Sequence, residues 1–375
     1  MRIAMIGHKR MPSREGGVEI VVEELSVRMA RRGHDVMCYN RKGVHVSGKR
    51  YASKKLDAYC GVKIRYVPTI DVRGIAAVSA SFFATVRAAF SRCDVIHFHS
   101  EGSCLMLWLA KLMGKRCIVT IHGLDHLRAK WGRMARTCIS LSGKCAAALA
   151  DEIIVLSKDA QTYFADVYKR DVRLIPNGVP VMEAREAEQI AKEFGLEKDG
   201  YILFLGRITP EKGIDYLIDA YRTIKTDKKL VIAGGSSDSD GYFASLKEKA
   251  KDLSAVVFTD FVQGRMLEEL YSNAYVYVLP SDLEGMPMSL LEALSYGNCC
   301  LVSDIPENTA VVGECANVFA RGDAKDLAAK LDLLCSDPSR VEACRAAAAQ
   351  RVHELADWEE VVTKTLLVYE RKKTD

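Results

Sequence analysis

The chain has 375 residues, of which 49% are hydrophobic and 27% charged, and its formal net charge is +4. This length accommodates two domains with buried cores, at about 100–200 residues each. The twelve cysteines are scattered and form no Cys-x-x-Cys pair, which favours reduced, buried thiols over a disulfide framework. The N-terminus lacks a signal-peptide pattern, and the apolar runs are shorter than the roughly 20 residues that cross a bilayer. We therefore expect a cytoplasmic chain without a transmembrane span.

Positive charge is concentrated in the first half of the chain. Residues 1–180 hold 30 Lys or Arg against 15 Asp or Glu, whereas residues 181–375 hold 23 against 34. This asymmetry predicts an anionic partner for the first half. A peripheral membrane surface fits better than nucleic acid, because aromatic side chains do not alternate with the basic ones. Solvated helix faces without a partner are the alternative interpretation. Much of the excess comes from Lys54, Lys55, Lys115, Arg116, Arg128, Lys130, Arg133, Arg136 and Lys144.

Short β-branched runs alternate with amphipathic or alanine-rich stretches, a rhythm typical of parallel sheets covered by helices. The predicted strands are 3–7, 36–40, 63–68, 95–100, 117–123, 153–157 and 173–176, and then, after a turn at 177–180, 201–207, 229–235, 256–261, 275–280, 299–304 and 317–320. We therefore predict an α/β chain with two Rossmann-like domains, each a doubly wound parallel sheet. The predicted boundaries are 1–180 and 181–355, with a final helix in 356–375 packing back on the first domain.

The loop after the first strand ends in Gly16 and Gly17, directly before a predicted helix that stops at Gly33. Backbone N–H groups at a helix start, without side chains in the way, suit a diphosphate. The spacing is not Gly-x-Gly-x-x-Gly, because Lys9 stands at the second glycine position, so a dinucleotide dehydrogenase is not favoured. An ordinary Gly-Gly turn is the other interpretation.

Histidines stand at the ends of two strands of the first half. His97 and His99 alternate on one strand and therefore point to the same face. His99, nearer the carboxyl end, is the candidate for an acceptor site, whereas His97 is expected to support the core. His122 ends the next strand, and a lone histidine in this position is often structural.

The loop after the first strand of the second half carries Gly206-Arg207 and Lys212-Gly213. An arginine forks onto phosphate oxygens and a lysine adds a point charge, so this pair suits a diphosphate leaving group. A plain surface loop is the alternative.

Two carboxylates, Glu284 and Glu292, lie eight residues apart around a Gly-x-Pro turn and the start of an apolar helix. A helix start attracts anions, and carboxylates accept hydrogen bonds from sugar hydroxyls. We interpret this segment as a nucleotide-sugar site; solvated or capping glutamates are the alternative. Asp238 and Asp240 match an Asp-x-Asp metal motif only superficially, and no metal site is predicted.

Together these motifs resemble those of the retaining glycosyltransferases of family 4, the group 1 type, which have the GT-B fold. The resemblance covers nearly the whole chain. It rests on Gly16-Gly17, Thr120-Ile-His122-Gly123, Asn177-Gly178-Val179, Gly206-Arg207, Lys212-Gly213, and Glu284 to Glu292 with Ala293 and Gly297. It implies a site between the domains, with the nucleotide sugar bound by the second and the acceptor by the first. The opening residues 5–19 are also similar to a rhamnosyltransferase-like subgroup of bacterial surface-polysaccharide biosynthesis.

The resemblance also implies residue roles. Arg207 and Lys212 would contact the diphosphate, Glu292 the ribose hydroxyls, and Glu284 the donor sugar or a nearby phosphate. His122 would contact the donor sugar, and the paired glycines would cradle phosphate. The implied donor-binding residues are Gly16, Gly17, Gly206, Arg207, Lys212, Glu284, Gly285, Met286 and Glu292; the implied catalytic residues are His122, Arg207, Lys212 and Glu284.

The implied chemistry is front-face attack with retention of configuration, without a metal or other cofactor. The donor would be a UDP-, GDP- or dTDP-sugar, and the acceptor a glycan or an undecaprenyl-diphosphate-linked glycan. Two other functions stay open. One is a non-catalytic nucleotide-sugar-binding protein that recruits to membranes, and the other is a sugar-nucleotide 2-epimerase, which would convert free UDP-GlcNAc without an acceptor.

Overall fold

The computed structural model describes residues 1–43, 55–70, 72, 75–124, 133–236 and 239–370, with backbone alone for 133–136. Lys54, Arg128, Lys130 and Asp238 lie outside the described residues, as do the side chains of Arg133 and Arg136. Contacts divide the chain into two units. Unit 1 holds the elements up to Gly178 together with the last helix, and unit 2 holds those from Val179 to Leu355.

The first 178 residues form eight described strands and five described α-helices. The strands are β1 (Arg2–Ile6), β2 (Asp35–Arg41), β3 (Ala58–Tyr59), β4 (Val62–Val67), β5 (Val95–His99), β6 (Arg116–Ile121), β7 (Glu152–Val155) and β8 (Arg173–Leu174). The helices are α1 (Gly17–Arg31), α2 (Ile75–Ala89), α3 (Leu107–Leu112), α4 (Arg133–Leu149) and α5 (Lys158–Tyr168).

Residues 179–355 form six described strands and eight described α-helices, and one more helix follows in unit 1. The strands are β9 (Tyr201–Leu205), β10 (Lys229–Ala233), β11 (Val256–Asp260), β12 (Val276–Leu279), β13 (Cys300–Ser303) and β14 (Asn317–Phe319). The helices are α6 (Gln189–Phe194), α7 (Ile214–Thr223), α8 (Asp240–Lys249), α9 (Arg265–Ser272), α10 (Met288–Ser295), α11 (Pro306–Val312), α12 (Ala324–Ser336) and α13 (Pro338–Val352), and the last helix of unit 1 is α14 (Trp358–Tyr369).

Each unit is built on one twisted sheet. The sheet of unit 1 has the order β3-β4-β2-β1-β5-β6-β7-β8, and that of unit 2 has the order β11-β10-β9-β12-β13-β14. The central strands are buried along their length, as in β5 and β9, because helices cover both faces of a parallel sheet. The prediction of two doubly wound parallel sheets is therefore confirmed.

The strand prediction missed one element and overran others. Strand β3 pairs antiparallel with β4 through Ala58 and Tyr59. Two residues are too few to show the alternation on which a strand prediction depends. Several predicted strands also extended into the loops that follow, since glycines and prolines at the strand ends leave the sheet.

The last helix completes unit 1. Helix α14 packs against α1, and the buried Trp358 at its start lies against Gly178. At its end, the hydroxyl of Tyr369 hydrogen-bonds His97 Nδ1 at 2.6 Å, inside the sheet layer. None of the helices in the described ranges has the length and apolar character needed to cross a membrane.

In both sheets the chain order reverses between two neighbouring strands, β1 and β5 in unit 1 and β9 and β12 in unit 2. Open α/β sheets bind ligands at the carboxyl ends of such strands, where the following loops diverge. The predicted site residues follow these strands or their neighbours.

Candidate functional site

The loop after β9 brings Arg207 and Lys212 to the reversal point of unit 2. Thr209 leads into a single 3-10 turn over Pro210–Lys212, and Gly213 ends it with φ +63°. A side chain on Gly213 would clash with the carbonyl oxygen of Pro280, which directly follows the adjacent strand β12. Glycine therefore lets the β9 and β12 loops pack backbone to backbone.

Lys212 and Glu284 form a buried ion pair across these two loops. Lys212 Nζ lies 2.5 Å from Glu284 Oε1, and both residues are 7% exposed. Ser281 donates a second hydrogen bond to the same carboxylate oxygen at 2.6 Å. The sequence prediction named both charges but not their pairing, because 72 residues separate them.

Arg207 differs from Lys212 in its surroundings. It is partly exposed, and no carboxylate within the described part of the chain lies within ion-pair distance. The guanidinium of Arg207 is therefore available to pair with an external anion, whereas the charge of Lys212 is balanced by Glu284. An ammonium group still has three donors, of which Glu284 uses one.

Glu292 is held inside the first turns of α10, the helix that starts after Pro287. It is 3% exposed, and its Oε2 lies 3.1 Å from the hydroxyl of Tyr271 on α9. The same hydroxyl lies 3.2 Å from the carbonyl oxygen of Ser289, and Tyr277 donates to the Ser289 hydroxyl at 2.9 Å. These two tyrosines fix the beginning of α10 and orient the carboxylate. Of the other predicted donor residues, Gly285 is buried and Met286 partly exposed in the same turn.

Sequence reasoning missed Tyr271, Tyr277 and Ser281. Tyr277 lies in a buried apolar run, where a tyrosine is indistinguishable from a core aromatic. Tyr271 precedes Glu292 by 21 residues and meets it only through the packing of α9 on α10. No local pattern could have indicated these contacts.

In unit 1 the carboxyl ends of β1 and β5 touch. Gly7 follows β1 with φ +107°, and any side chain there would collide with the carbonyl of His99. Gly16 caps α1 in extended conformation, and an added Cβ would lie 2.6 Å from Glu19 Oε2. The other oxygen of Glu19 accepts the backbone N–H of Lys9 at 2.8 Å. An internal carboxylate thus borders the helix start, and the phosphate role of Gly16 and Gly17 stays a prediction.

Three histidines of unit 1 lie together at this edge. The rings of His97 and His99 have centroids 4.1 Å apart, as expected for alternate residues of one strand. His99 Nδ1 lies 3.0 Å from Nε2 of the partly exposed His122, which follows the neighbouring strand β6. His97 is held on both sides, by Tyr369 at 2.6 Å and by the hydroxyl of Thr120 at 2.7 Å. His99 itself is fully buried, and its acceptor role stays a prediction.

Burial keeps His97 and His99 uncharged. Desolvation lowers the pKa of His97 to about 3, with repulsion from His122 adding to the effect. Desolvation also lowers the pKa of His99 well below its usual value, followed by repulsion from His97, His122 and His8. A fourth histidine, His8, is buried after β1, and its burial lowers its pKa to about 4. His8, His97 and His99 are therefore neutral imidazoles at pH 7.

Asn40 organises the loop after β1. Its side-chain oxygen lies 3.0 Å from His8 Nε2 and accepts the Met11 N–H at 3.0 Å, while its amide donates to the Met11 carbonyl at 2.8 Å. This loop carries the chain from β1 to the paired glycines, so Asn40 fixes its path. Sequence analysis did not single out Asn40 or His8.

No group of three His, Cys, Asp or Glu side chains among the described residues is arranged to hold a metal ion. Asp240, the described member of the Asp-x-Asp pair, begins α8 and accepts a hydrogen bond from the Ser236 hydroxyl.

Two parallel α/β units with charged loops at the carboxyl ends of the second sheet define the GT-B class of fold. Solved structures support this assignment. Sucrose-phosphate synthase from Thermosynechococcus elongatus is 21% identical with a TM-score of 0.84, covering 99% of this chain and 98% of that one. Anabaena HepE in complex with UDP and glucose is 14% identical with a TM-score of 0.81, covering 99% of each chain. At these identities the two structures establish the fold alone.

The chain belongs to the group 1, family 4 glycosyltransferases. The sequence profile described as "Glycosyl transferases group 1" matches residues 186–351, and that described as "Glycosyltransferase Family 4" matches residues 15–183. Among curated proteins, alpha-maltose-1-phosphate synthase of Mycobacterium tuberculosis (strain CDC 1551 / Oshkosh) is 26% identical over 406 residues, covering 99% of each chain. The family predicted from the motifs is thereby confirmed.

Proposed function

We propose that this chain transfers a sugar, with retention of configuration, from a nucleotide-sugar donor to a glycan or lipid-linked glycan acceptor of bacterial surface polysaccharide. Unit 2 binds the UDP-, GDP- or dTDP-sugar, and unit 1 binds the acceptor. The observation that carries this proposal is the charge arrangement at the β9/β12 reversal point. There Arg207 has no carboxylate partner within the described chain, Lys212 is paired with Glu284, and Glu292 lies in the second turn of the neighbouring helix α10.

Each charged group has a role in this proposal. Arg207 and Lys212 bind the diphosphate, and Glu292 accepts from the ribose hydroxyls. Glu284 holds Lys212 in place and accepts from the donor sugar. A buried ion pair suits a leaving-group site because it is ordered before substrate arrives, so little reorganisation accompanies the reaction.

The reaction needs no side-chain nucleophile. The acceptor hydroxyl oxygen bonds to the anomeric carbon on the face from which the diphosphate departs, and the bond from that carbon to the phosphate oxygen breaks. The hydroxyl proton passes to the departing phosphate. Arg207 and Lys212 stabilise the negative charge that develops there, and His122 of unit 1 donates to a hydroxyl of the transferred sugar. No metal or other cofactor takes part in this proposal.

Unit 1 has a surface suited to an anionic lipid bilayer. Helices α2, α3 and α4 contain no acidic residue, and α3 contacts both of the others. Their outer faces expose large apolar side chains, and Lys144 of α4 is exposed beside them. The exposed residues of this lipid-facing surface are Ile75, Val78, Phe82, Trp108, Leu112 and Leu141. Apolar groups with cations and without anions complement an anionic membrane, where a lipid-linked acceptor resides.

The lipid-facing surface is tested with vesicles. Wild type should bind phosphatidylglycerol vesicles and leave phosphatidylcholine vesicles unbound in a flotation assay. Leu112→Ser with Trp108→Ser should abolish binding, whereas Val181→Ser, a 97% exposed control in unit 2, should not. Equal binding to both vesicle types would reject an anionic lipid as the partner, and binding to neither would reject a lipid partner altogether.

The donor site is tested by thermal shift with UDP-, GDP- and dTDP-sugars. A ligand that binds the folded state raises the melting temperature. Sugars of one nucleotide class should raise the melting temperature of the wild type but not that of Arg207→Ala or Glu292→Ala. Lys249→Ala serves as control, because the ion pair of Lys249 among the described residues is with Asp219 on the surface of unit 2. Absence of any shift at saturating donor would reject the donor site.

Product analysis separates the other two functions. If a nucleotide sugar stabilises the protein but no sugar is transferred to any lipid-linked glycan, a non-catalytic binding protein is favoured. Conversion of free UDP-GlcNAc without acceptor would favour a 2-epimerase.

A further inference from the structure

Among the described residues, His99 has one ring nitrogen that is hydrogen-bonded and one that is buried without a hydrogen-bond partner. Nδ1 lies 3.0 Å from His122 Nε2, whereas Nε2 is sealed from solvent and has no hydrogen-bond partner among the described residues. The nearest ring, His97, cannot serve Nε2, because both its nitrogens are engaged by Tyr369 and Thr120.

This asymmetry decides where the proton of His99 lies. A neutral imidazole has one N–H and one lone pair. A proton on Nε2 would bury an N–H donor without an acceptor, which native structures avoid more strictly than an unused acceptor. A proton on Nδ1 is instead donated to His122. His99 is uncharged at neutral pH because it is fully buried, so one of these two forms must be present.

We propose that His99 is a positioning residue that fixes His122 as the tautomer protonated on Nδ1. Because His122 Nε2 accepts the proton of His99, the proton of a neutral His122 lies on Nδ1. The proposal rests on the proposed function only for its consequence. In the proposed function, His122 then acts as a hydrogen-bond donor rather than as a base, because its Nε2 lone pair is engaged by His99.

The backbone supports this role. Strands β5 and β6 are hydrogen-bonded in register, with His99 opposite Thr120, and Ser100 N–H donates to the Thr120 carbonyl at 3.0 Å. Gly7 packs against the His99 carbonyl from the other side. His99 is therefore held by two neighbouring strands, and His122 is oriented through it.

Nitrogen NMR tests the tautomer directly. Protein labelled with ¹⁵N in the histidine rings is recorded at pH 7 by long-range ¹H–¹⁵N correlation, and His122→Gln assigns the His122 signals among the eight histidines. Wild-type His122 should show a protonated Nδ1 and an unprotonated Nε2. A protonated Nε2 in the wild-type spectrum would overturn the proposal, whether or not the enzyme transfers sugar.

Two substitutions of His99 separate positioning from packing. The side-chain amide of His99→Asn can place an N–H donor where Nδ1 lies, whereas His99→Leu cannot. The Nδ1–H tautomer should persist in His99→Asn and give way to a mixture or to Nε2–H in His99→Leu. Unchanged His122 signals in a folded His99→Leu protein would also overturn the proposal.

Turnover gives the second readout. In His99→Leu, kcat should fall about tenfold with the donor KM within about twofold, and His99→Asn should recover most of the loss. An equal loss in both variants would indicate packing alone and reject positioning. If the protein transfers no sugar but the tautomers behave as expected, the proposed function fails and the His99 inference stands.

Discussion

In both units the strand order reverses at the candidate site, but the side chains at the carboxyl ends of the strands differ in charge. In unit 2, neighbouring loops meet through a buried Lys212–Glu284 ion pair. In unit 1, the corresponding edge holds His97 and His99, whose imidazoles burial keeps neutral, and His99 is hydrogen-bonded to His122. The charged pair of unit 2 suits a diphosphate, whereas the neutral imidazoles of unit 1 suit sugar hydroxyls. A doubly wound sheet therefore supplies the place for a site, and the side chains after its strands decide the chemistry.

Removing one partner of the ion pair should give the largest effect. Lys212→Met leaves Glu284 buried without a counter-charge and should destabilise the protein by about 3–5 kcal/mol. Transfer should also fall by about 10²–10³-fold, since a donor to the leaving group is lost. Urea denaturation and turnover measure the two effects.

The double variant Lys212→Met with Glu284→Gln separates stability from function. It removes both charges and should recover most of the lost stability but none of the lost turnover. If turnover also recovered, the ion pair would have a structural role alone, and the charge difference between the units would have no bearing on transfer.

Acid should loosen unit 1 before unit 2. The pKa values of His8 and His97 fall to about 4 and about 3 on folding, from about 6.5 in the unfolded chain. The unfolded state therefore binds more protons below pH 6.5, so stability is complete above that pH and lost as the pH falls. Between pH 7 and pH 5, protonation of each of these two histidines in the unfolded state should lower the free energy of unfolding by about 2 kcal/mol.

Hydrogen exchange read by mass spectrometry can resolve the two units in this acid test. After correction for intrinsic rates, protection in β1 and β5 should fall between pH 7 and pH 5, while protection in β9 and β12 is retained. Equal loss in both sheets would contradict the neutral character assigned to unit 1.

Close backbone packing at both edges predicts that two glycines tolerate no side chain. At positive φ, an added Cβ in Gly7→Ala would clash with the carbonyl of His99 at the end of β5, and one in Gly234→Ala with the carbonyl of Gly206, directly after β9. Each should cost more than the roughly 1–3 kcal/mol of a strained backbone conformation alone. Thermal unfolding of both variants measures the cost.

The matched controls are Gly33→Ala and Gly297→Ala, which also have positive φ but nothing within 4 Å of the added Cβ. The difference between each pair isolates the clash from the strain. If both members of a pair lose equal stability, the close approach contributes nothing.

The smallest expected effect lies at Tyr271. Tyr271→Phe removes the hydroxyl that lies 3.1 Å from Glu292 and should weaken nucleotide binding by about fivefold, the value of one hydrogen bond of about 1 kcal/mol. Calorimetric titration with the stabilising nucleotide measures it. Tyr221→Phe is the control, because the Tyr221 hydroxyl donates to the Lys228 carbonyl at 2.8 Å rather than to Glu292. An equal change of nucleotide affinity in both variants would show that the Tyr271 hydroxyl has no specific role in the donor site.

The sequence predicted the two sheets and the family because parallel strands, loop glycines and charged loop residues are local patterns. It named Lys212, Glu284 and Glu292, but neither the ion pair nor the tyrosine that contacts Glu292, since Lys212 and Glu284 lie 72 residues apart and Tyr271 and Glu292 lie 21 apart. Likewise, alternation placed His97 and His99 on one face, whereas Tyr369 meets His97 from 272 residues away. Local periodicity shows to which face of a helix or strand a side chain points, whereas only tertiary packing determines which elements come into contact.

The return of α14 to unit 1 has a consequence for synthesis on the ribosome. His97 and its partner Tyr369 are separated by 272 residues, so at about 5–20 residues per second the nascent chain waits roughly 14–54 s for this contact. During that interval all of unit 2 emerges and can fold, while the surface of α1 that α14 covers stays open to chaperones. Unit 1 begins before unit 2 and is completed after it, so the maturation of unit 1 reports that unit 2 has been translated.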